Sequence, residues 1–320
     1  MEKVTPIKKP SHLSGIISTL FGLAMLSGAC YFLYNELTHD EHFNIKNIVT
    51  KLRSIPDLHI VISIFMSIFG HFVLMGFDFL GVRYVKQPMP FHRVAVASFV
   101  SYVLSHNIGS WAGAPFRFRA YHQAGFSAFQ ITTVVAWCGL TFWLGFLSLG
   151  GLLLITNTAA LSTVFSMSQG ILRGLGFLFL TLVGLYLSWA WRQKGSLKIF
   201  KWYLWPPDLT TAIRQLLISI LDWILAGTTL YFLFPDLKIV PFFNFLGIFV
   251  LSQALAFTSQ IPGGLGVFEV PFLNFIGPIV GNETVVSAII AYRAIYYLLP
   301  LTVGIFILAV YEWRRRRGHI

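Results

Sequence analysis

Charge is scarce in this sequence. Asp, Glu, Lys and Arg together supply 11% of its 320 residues, against about 25% in ordinary soluble domains. Cysteine is scarcer still: Cys30 and Cys138 both sit inside apolar runs, which leaves no disulfide framework and no cysteine-based metal site. His71, His92, His106 and His122 fall on separate segments without His-x-x-x-His spacing, so no metal is expected. A nucleophile elbow, a Walker loop and a dinucleotide fingerprint are also missing. Gly263-Gly264-Leu265-Gly266 lacks the Lys-Ser/Thr ending of a phosphate loop. These absences argue against an enzyme and against a cofactor.

What is present is apolar. Hydrophobic residues make up 56% of the chain, more than a soluble core absorbs, and the chain reads as an all-α polytopic membrane protein. Its net charge of +11 is concentrated in short loops and at the ends, as membrane orientation requires. The run Arg314-Arg315-Arg316-Arg317 follows an apolar segment directly. There it meets anionic headgroups rather than nucleic acid.

Spanning segments need about 20 residues, and six stretches qualify: 13–34, 58–80, 127–155, 171–191, 210–234 and 284–311. The first is too long for a signal-peptide core and ends without a small-residue cleavage site, so it reads as an uncleaved span. Two more apolar stretches, 91–105 and 242–259, run into glycine-rich motifs instead of loops. Lys3, Lys8 and Lys9 place the N-terminus in the cytoplasm. Arg83, Lys86 and Arg93, then Arg192, Lys194, Lys198 and Lys201, and the final arginines mark further cytoplasmic segments. Loop 35–57, mixed in sign, and the uncharged 156–170 fall outside. These marks agree only if 91–118 enters and leaves on the cytoplasmic side and 242–281 on the outer side. Each is then a re-entrant hairpin.

The hairpin turns carry Gly109, Gly113 and Pro115 in one case, and Pro262, Gly263, Gly264 and Gly266 in the other. Broken backbone at membrane depth survives only where protein or a water-filled cavity covers it. The whole becomes two units of opposite orientation, 58–155 and 210–311, which together make one transmembrane domain. Inverted units of this kind bracket a site near the midplane.

An ionisable residue inside the membrane faces a cavity or a partner. Arg117 and Glu269 occupy matching places just after the two turns. Two readings stand: both line a polar cavity, with Arg117 and Arg119 meeting a lipid phosphate, or Arg117 and Glu269 pair with each other. Arg293 is a phosphate contact supported by the Tyr292 and Tyr296 hydroxyls, or it snorkels or pairs with Asp222, and Glu269 with Asp222 is the candidate for a cationic headgroup. Asp78 is expected to pair with Arg83. His106, beside Asn107 at the first helix break, is a candidate hydrogen-bond donor to freed carbonyls or to substrate, with Ser259 and Gln260 in that part at the second break and Asn107 a further candidate contact to substrate.

Ser105-His106-Asn107-Ile108-Gly109 followed by Phe116-Arg117-Phe118-Arg119-Ala120-Tyr121 resembles the S-H-N-x-G…R-Y-R-x-Y pattern of lysylphosphatidylglycerol synthase/flippase transmembrane regions. Cys138-Gly139-Leu140-Thr141-Phe142-Trp143-Leu144-Gly145, Ile261-Pro262-Gly263-Gly264-Leu265-Gly266-Val267-Phe268-Glu269 and Ala291-Tyr292-Arg293 are similar to that family too, over roughly residues 50–312. Ala114-Pro115 departs from it, since many members carry a glycine-serine pair there.

The resemblance implies translocation of an aminoacylated phospholipid, such as lysyl-phosphatidylglycerol, from inner to outer leaflet of a bacterial cytoplasmic membrane, with resistance to cationic peptides as the consequence. No soluble synthetase domain follows the last span, so the chain is a stand-alone member or the membrane half of a longer protein, and a separate or fused aminoacyl-lipid synthetase is an expected partner. Small residues at Gly145 and Gly150 permit helix packing within a protomer or in a homodimer. The competing functions are a membrane scaffold for a lipid-modifying or glycosyl-transfer enzyme, and an ion-coupled small-solute transporter.

Overall fold

Helices begin where the sequence supplies caps. Asp208 accepts from the Thr211 amide at 2.9 Å, and the Thr211 hydroxyl and amide hold its carboxyl below the usual carboxylate range. Ser127 and Gln130 form a reciprocal capping box. Pro115 lies in the first turn of its helix, where a missing N–H leaves no hydrogen bond unmade. The departure at Ala114-Pro115 is therefore a helix start.

The computed structural model describes residues 45–109, 112–165, 167–193, 195, 197–199, 202–234, 240–259 and 262–316. The expected span 13–34 lies outside them. In chain order the helices are α1 (Ile45–Arg53), α2 (Asp57–Tyr84), α3 (Phe91–Ile108), α4 (Ala114–Gln123), α5 (Ala128–Thr156), α6 (Thr158–Phe165) and α7 (Gln169–Arg192). A two-stranded antiparallel hairpin follows, β1 (Leu197–Ile199) and β2 (Trp202–Leu204). Then come α8 (Leu209–Tyr231), α9 (Phe242–Ser259), α10 (Glu269–Phe275), α11 (Gly277–Val280), α12 (Asn282–Tyr292) and α13 (Leu299–Arg316). A π-helical segment, Arg293–Leu298, joins the last two.

Among the described residues six helical stretches are long and apolar enough to cross a membrane. Five match expected spans. The sixth is α9, which the sequence reading gave to the second hairpin. Three short elements went unforeseen: α6, the β-hairpin and α1. The last lies within the stretch read as loop 35–57. Its Ile48 is buried, and the Ile48 carbonyl accepts from Ser287 Oγ of α12 at 2.9 Å.

Both glycine-rich stretches are helix breaks that fold back on the helix before them. At Gly113 a Cβ would sit 2.0 Å from the Ser101 carbonyl oxygen of α3, and the Gly113 amide donates to Ser105 Oγ at 3.2 Å. Gly264, at φ +62°, presses on α9 in the same way: its Cβ would lie 2.4 Å from that of Ala256. Gly109 ends α3, while Gly263 and Gly266 flank Gly264 with positive φ. Pro262 opens the short 3-10 turn Pro262–Gly264.

The long helices α2 and α8 pack antiparallel. Ser63 Oγ donates to the Thr229 carbonyl at 3.0 Å, Gly70 faces Leu225, and Gly76 faces Ile218. One apolar cluster surrounds the second break, built from Phe245, Phe249, Phe268, Phe272 and Tyr292 among others. Another surrounds the first, with Phe77, Tyr121, Phe126 and Ile131. Gly145 is used within the protomer, its Cβ direction meeting the Ser219 carbonyl of α8. Gly150 likewise faces Val250 of α9. Phe65, Phe69 and Phe72 on α2, and Leu178, Leu182 and Leu185 on α7, point outward. Apolar surface of that extent is suited to lipid contact.

Candidate functional site

At the first break, α4 turns Arg117 and Tyr121 onto one face, four residues apart. Both meet Asp78 of α2, which is fully buried. Arg117 Nη2 donates to Asp78 Oδ2 at 3.1 Å, and its Nε lies 3.0 Å from Oδ1. The Tyr121 hydroxyl donates to Oδ1 at 2.6 Å. The guanidinium also stacks over the Tyr102 ring at 4.7 Å, a cation–π contact strengthened by desolvation. Two expectations are corrected here. Arg117 does not pair with Glu269, and Asp78 pairs with Arg117 instead of Arg83. The reason is the fold-back at Gly113, which carries α4 across the face of α2. Arg119 is half-buried with its guanidinium 5.5 Å from the Phe116 ring.

At the second break, Arg293 is the organising cation. Its Nη2 and Nε donate to Glu269 Oε1 at 2.5 and 3.2 Å, and its Nη1 donates to the Gly263 carbonyl at 3.0 Å. The expected partner Asp222 is not used. Arg293 is the first residue of the π segment, which begins beside the glycine turn. Such single-turn π insertions are frequent at functional sites. Arg293→Gln leaves Glu269 without its counter-charge. We expect faster amide hydrogen exchange in 262–268 with little change in α7. Unaltered exchange there would show that Arg293 does not hold the turn.

The two breaks meet through the π segment. Asn107 Nδ2 donates to the Tyr297 carbonyl at 3.2 Å, and Ser67 Oγ to the Ile295 carbonyl at 3.2 Å. The donor here is Asn107, whereas the Nδ1 of His106, the residue expected in that part, is buried without a hydrogen-bond partner. The ring of His106 stacks on Tyr296 at 6.0 Å and lies 6.1 Å from the ring of His71. Tyr292 and Tyr296 stack on each other at 5.1 Å. A file of polar side chains therefore runs from Asp78–Arg117 through Tyr102, His106, His71 and Tyr296 to Arg293–Glu269. Asp222 of α8 is buried at 5% exposure beside it. A shallow groove is lined by Leu273, Asn274, Gly277, Pro278, Asn282 and Glu283, none of them a member of either ion pair.

Tyr102 and His71 in this file, and Tyr121 on Asp78 at its end, are residues for which the sequence alone suggests no such place. The four-residue spacing of Arg117 and Tyr121 puts those two on one face but names no partner. Tyr102 and His71 gave no signal, since each lies inside an apolar helix and acquires its neighbours by packing. No group of three or more His, Cys, Asp or Glu side chains able to hold a metal occurs among the described residues.

Apolar crossing helices, two covered helix breaks and a buried polar file between them define a multi-pass membrane protein. The model of the family described as lysylphosphatidylglycerol synthase TM region matches residues 19–304, and the chain belongs to that family. Its function is accordingly membrane- and lipid-related. It is 30% identical over 297 residues to an uncharacterised Synechocystis protein, covering 91% of this chain and 92% of the relative. It is 27% identical to the inner membrane protein YbhN of Escherichia coli, over 75% of this chain and 76% of that one. A phosphatidylglycerol lysyltransferase of Staphylococcus haemolyticus is 24% identical over 95% of this chain, which corresponds to 35% of that larger protein.

Proposed function

We propose that this chain moves an aminoacylated phospholipid, such as lysyl-phosphatidylglycerol, from the inner to the outer leaflet of a bacterial cytoplasmic membrane, with both termini cytoplasmic. The observation that carries the reading is the pair of arginine–carboxylate contacts, one at each helix break, the first buried and the second part-buried, joined by a polar file inside an apolar exterior. An aminoacylated headgroup bears a phosphate and an ammonium. Each can replace one member of an ion pair, the phosphate taking an arginine and the ammonium a carboxylate. Exchange of partners keeps every charge compensated as the headgroup passes, whereas opening an ion pair in apolar surroundings with nothing in exchange costs several kcal/mol. Arginine is suited to the phosphate end because its fork binds phosphate oxygens in pairs. The acyl chains stay in the bilayer while the headgroup crosses.

The basic segments around Arg83, Lys86 and Arg93 and around 192–208 support the stated orientation. In this reading the two breaks belong to hairpins that re-enter from opposite faces, as inverted units do. In this reading the chain is a transporter and performs no lysyl transfer, which is the work of a separate or fused synthetase partner.

The test is purified protein in liposomes loaded with lysyl-phosphatidylglycerol, followed with an impermeant amine reagent. The lipid should become reactive from the second leaflet much faster than in protein-free liposomes, and Arg117→Ala with Glu269→Gln should abolish the gain. If the wild-type protein gives the protein-free rate, the reading fails.

A further inference from the structure

Three acidic side chains lie in the interior along the polar file, and they are not held alike. Asp78 has Arg117 and Glu269 has Arg293. Asp222, in the middle of α8, is 5% exposed, and no basic side chain lies within ion-pair distance of it among the described residues; its Oδ1 is buried without a hydrogen-bond partner. An ionised carboxylate isolated in apolar surroundings is so costly that the group carries its proton instead.

The antiparallel register that sets Gly70 against Leu225 and Gly76 against Ile218 brings Asp222 to the level of His71 on α2. His71 Nδ1 is 2.8 Å from the Ser67 carbonyl. A carbonyl only accepts, so Nδ1 bears the hydrogen and Nε2 presents a bare lone pair. That nitrogen is buried with no partner. Tyr296 packs against His71, with its ring 5.2 Å from that of His71, and in this conformation its hydroxyl is hydrogen-bonded to neither Asp222 Oδ1 nor His71 Nε2.

We propose that Asp222, Tyr296 and His71 form a proton-binding relay across the middle of the protein. Once side-chain rotation or an intervening water brings the three within hydrogen-bond reach, a proton leaves the Asp222 carboxyl, passes by way of the Tyr296 hydroxyl, which gives up one proton as it gains another, and forms an N–H bond at His71 Nε2. The proton enters from water on one side of the membrane and leaves to water on the other, so no oxidant or further reactant is needed. Files of acidic and histidine side chains inside membranes serve this role generally.

The titratable groups facing the relay are His106 and Tyr102 from α3, Tyr292 from α12 and Tyr297 from the π segment. From α9, Gln253 reaches Tyr297 and does not titrate. The ion pairs Asp78–Arg117 and Glu269–Arg293 stand at the two ends of the file. If the lipid reading above holds, on which this consequence rests, proton movement through the relay biases the leaflet distribution of the lipid.

Two measurements test this. First, infrared difference spectra of the protein in nanodiscs at neutral pH, in H2O and D2O, should show the carbonyl stretch of a protonated carboxyl, absent in Asp222→Asn and retained in Glu269→Gln. No such band, or one that survives Asp222→Asn, overturns the proton site. Second, liposomes with lysyl-phosphatidylglycerol and an imposed gradient of one pH unit should reach a steady-state leaflet ratio shifted by up to about tenfold, the limit for one proton. Without the gradient the ratio should be even. The shift should vanish in His71→Gln, which also serves if Asp222→Asn does not fold. Lipid movement that ends at an even ratio under the gradient overturns the coupling while leaving lipid transport intact. Absence of any lipid movement by the wild-type protein sinks the transport reading instead, and the infrared band then upholds or overturns the proton site by itself.

Discussion

Asp78→Ala should destabilise the protein by about 3–5 kcal/mol, the range for removing one partner of a buried ion pair. The loss has two parts. Arg117, 8% exposed, keeps its charge with no carboxylate to meet it, and the Tyr121 hydroxyl loses its acceptor. Arginine cannot escape by losing its proton, because it stays charged at any working pH. The double variant Asp78→Ala/Arg117→Met should recover most of the loss, since a pair replaced by apolar side chains of similar volume is close to neutral. Glu269→Ala should cost less than Asp78→Ala, because the Glu269 side chain is 12% exposed and that of Asp78 is 0%. Thermal or denaturant unfolding in nanodiscs checks the series. A single variant no less stable than the double one would mean that Arg117 does not depend on Asp78.

Gly113→Ala should cost about 3 kcal/mol or more, at the upper end of what overpacking does, and should loosen the first helix break. The backbone at Gly113 has φ −79° and ψ −20°, which alanine adopts without strain. The effect is therefore wholly steric. The added methyl would stand 2.0 Å from the Ser101 carbonyl oxygen and 2.6 Å from Ser105 Oγ. The serine can rotate, but the carbonyl belongs to α3 and cannot. Relief requires α4 to move away from α3, which pulls Arg117 and Tyr121 off Asp78. Gly184→Ala is the control: it lies in α7 with nothing within 4 Å of the added carbon, and should be neutral or gain about 0.5–1 kcal/mol from helix propensity. Unfolding measurements compare the two, and proteolysis at the break reads the loosening. Equal stability of both variants would remove the fold-back from the account of the site.

Particular residues show what was legible beforehand. The long apolar runs announced five of the described crossing helices, and the glycine-rich motifs announced both breaks at their correct positions. Those signals are local, since a run of apolar residues or a Gly-x-x-x-Gly turn is a property of neighbouring positions. Arg117, Glu269, Arg293 and Asp222 were also recognisable as groups needing a partner or a cavity, because any charge inside an apolar run must be accounted for. Their partners were not recognisable. Arg117 is 39 positions from Asp78, and Arg293 is 24 from Glu269. Nothing in the local pattern ranks Asp78 above Glu269 as the arginine's partner. The π segment was hidden too, because an extra residue in one helical turn leaves the apolar pattern almost unchanged.

The sequence by itself determined that this chain lives in a membrane, where its backbone must break, and which charged groups had to be sheltered there. Those follow from the cost of polar groups in apolar surroundings, which depends on residue type alone. Tertiary structure decided how the shelter is built: one arginine for each carboxylate beside a helix break, and no counter-charge for Asp222. That choice turns on the fold-back at Gly113, the π turn at Arg293 and the antiparallel register of α2 with α8. Each brings together groups far apart in the chain, and only packing determines which of them meet.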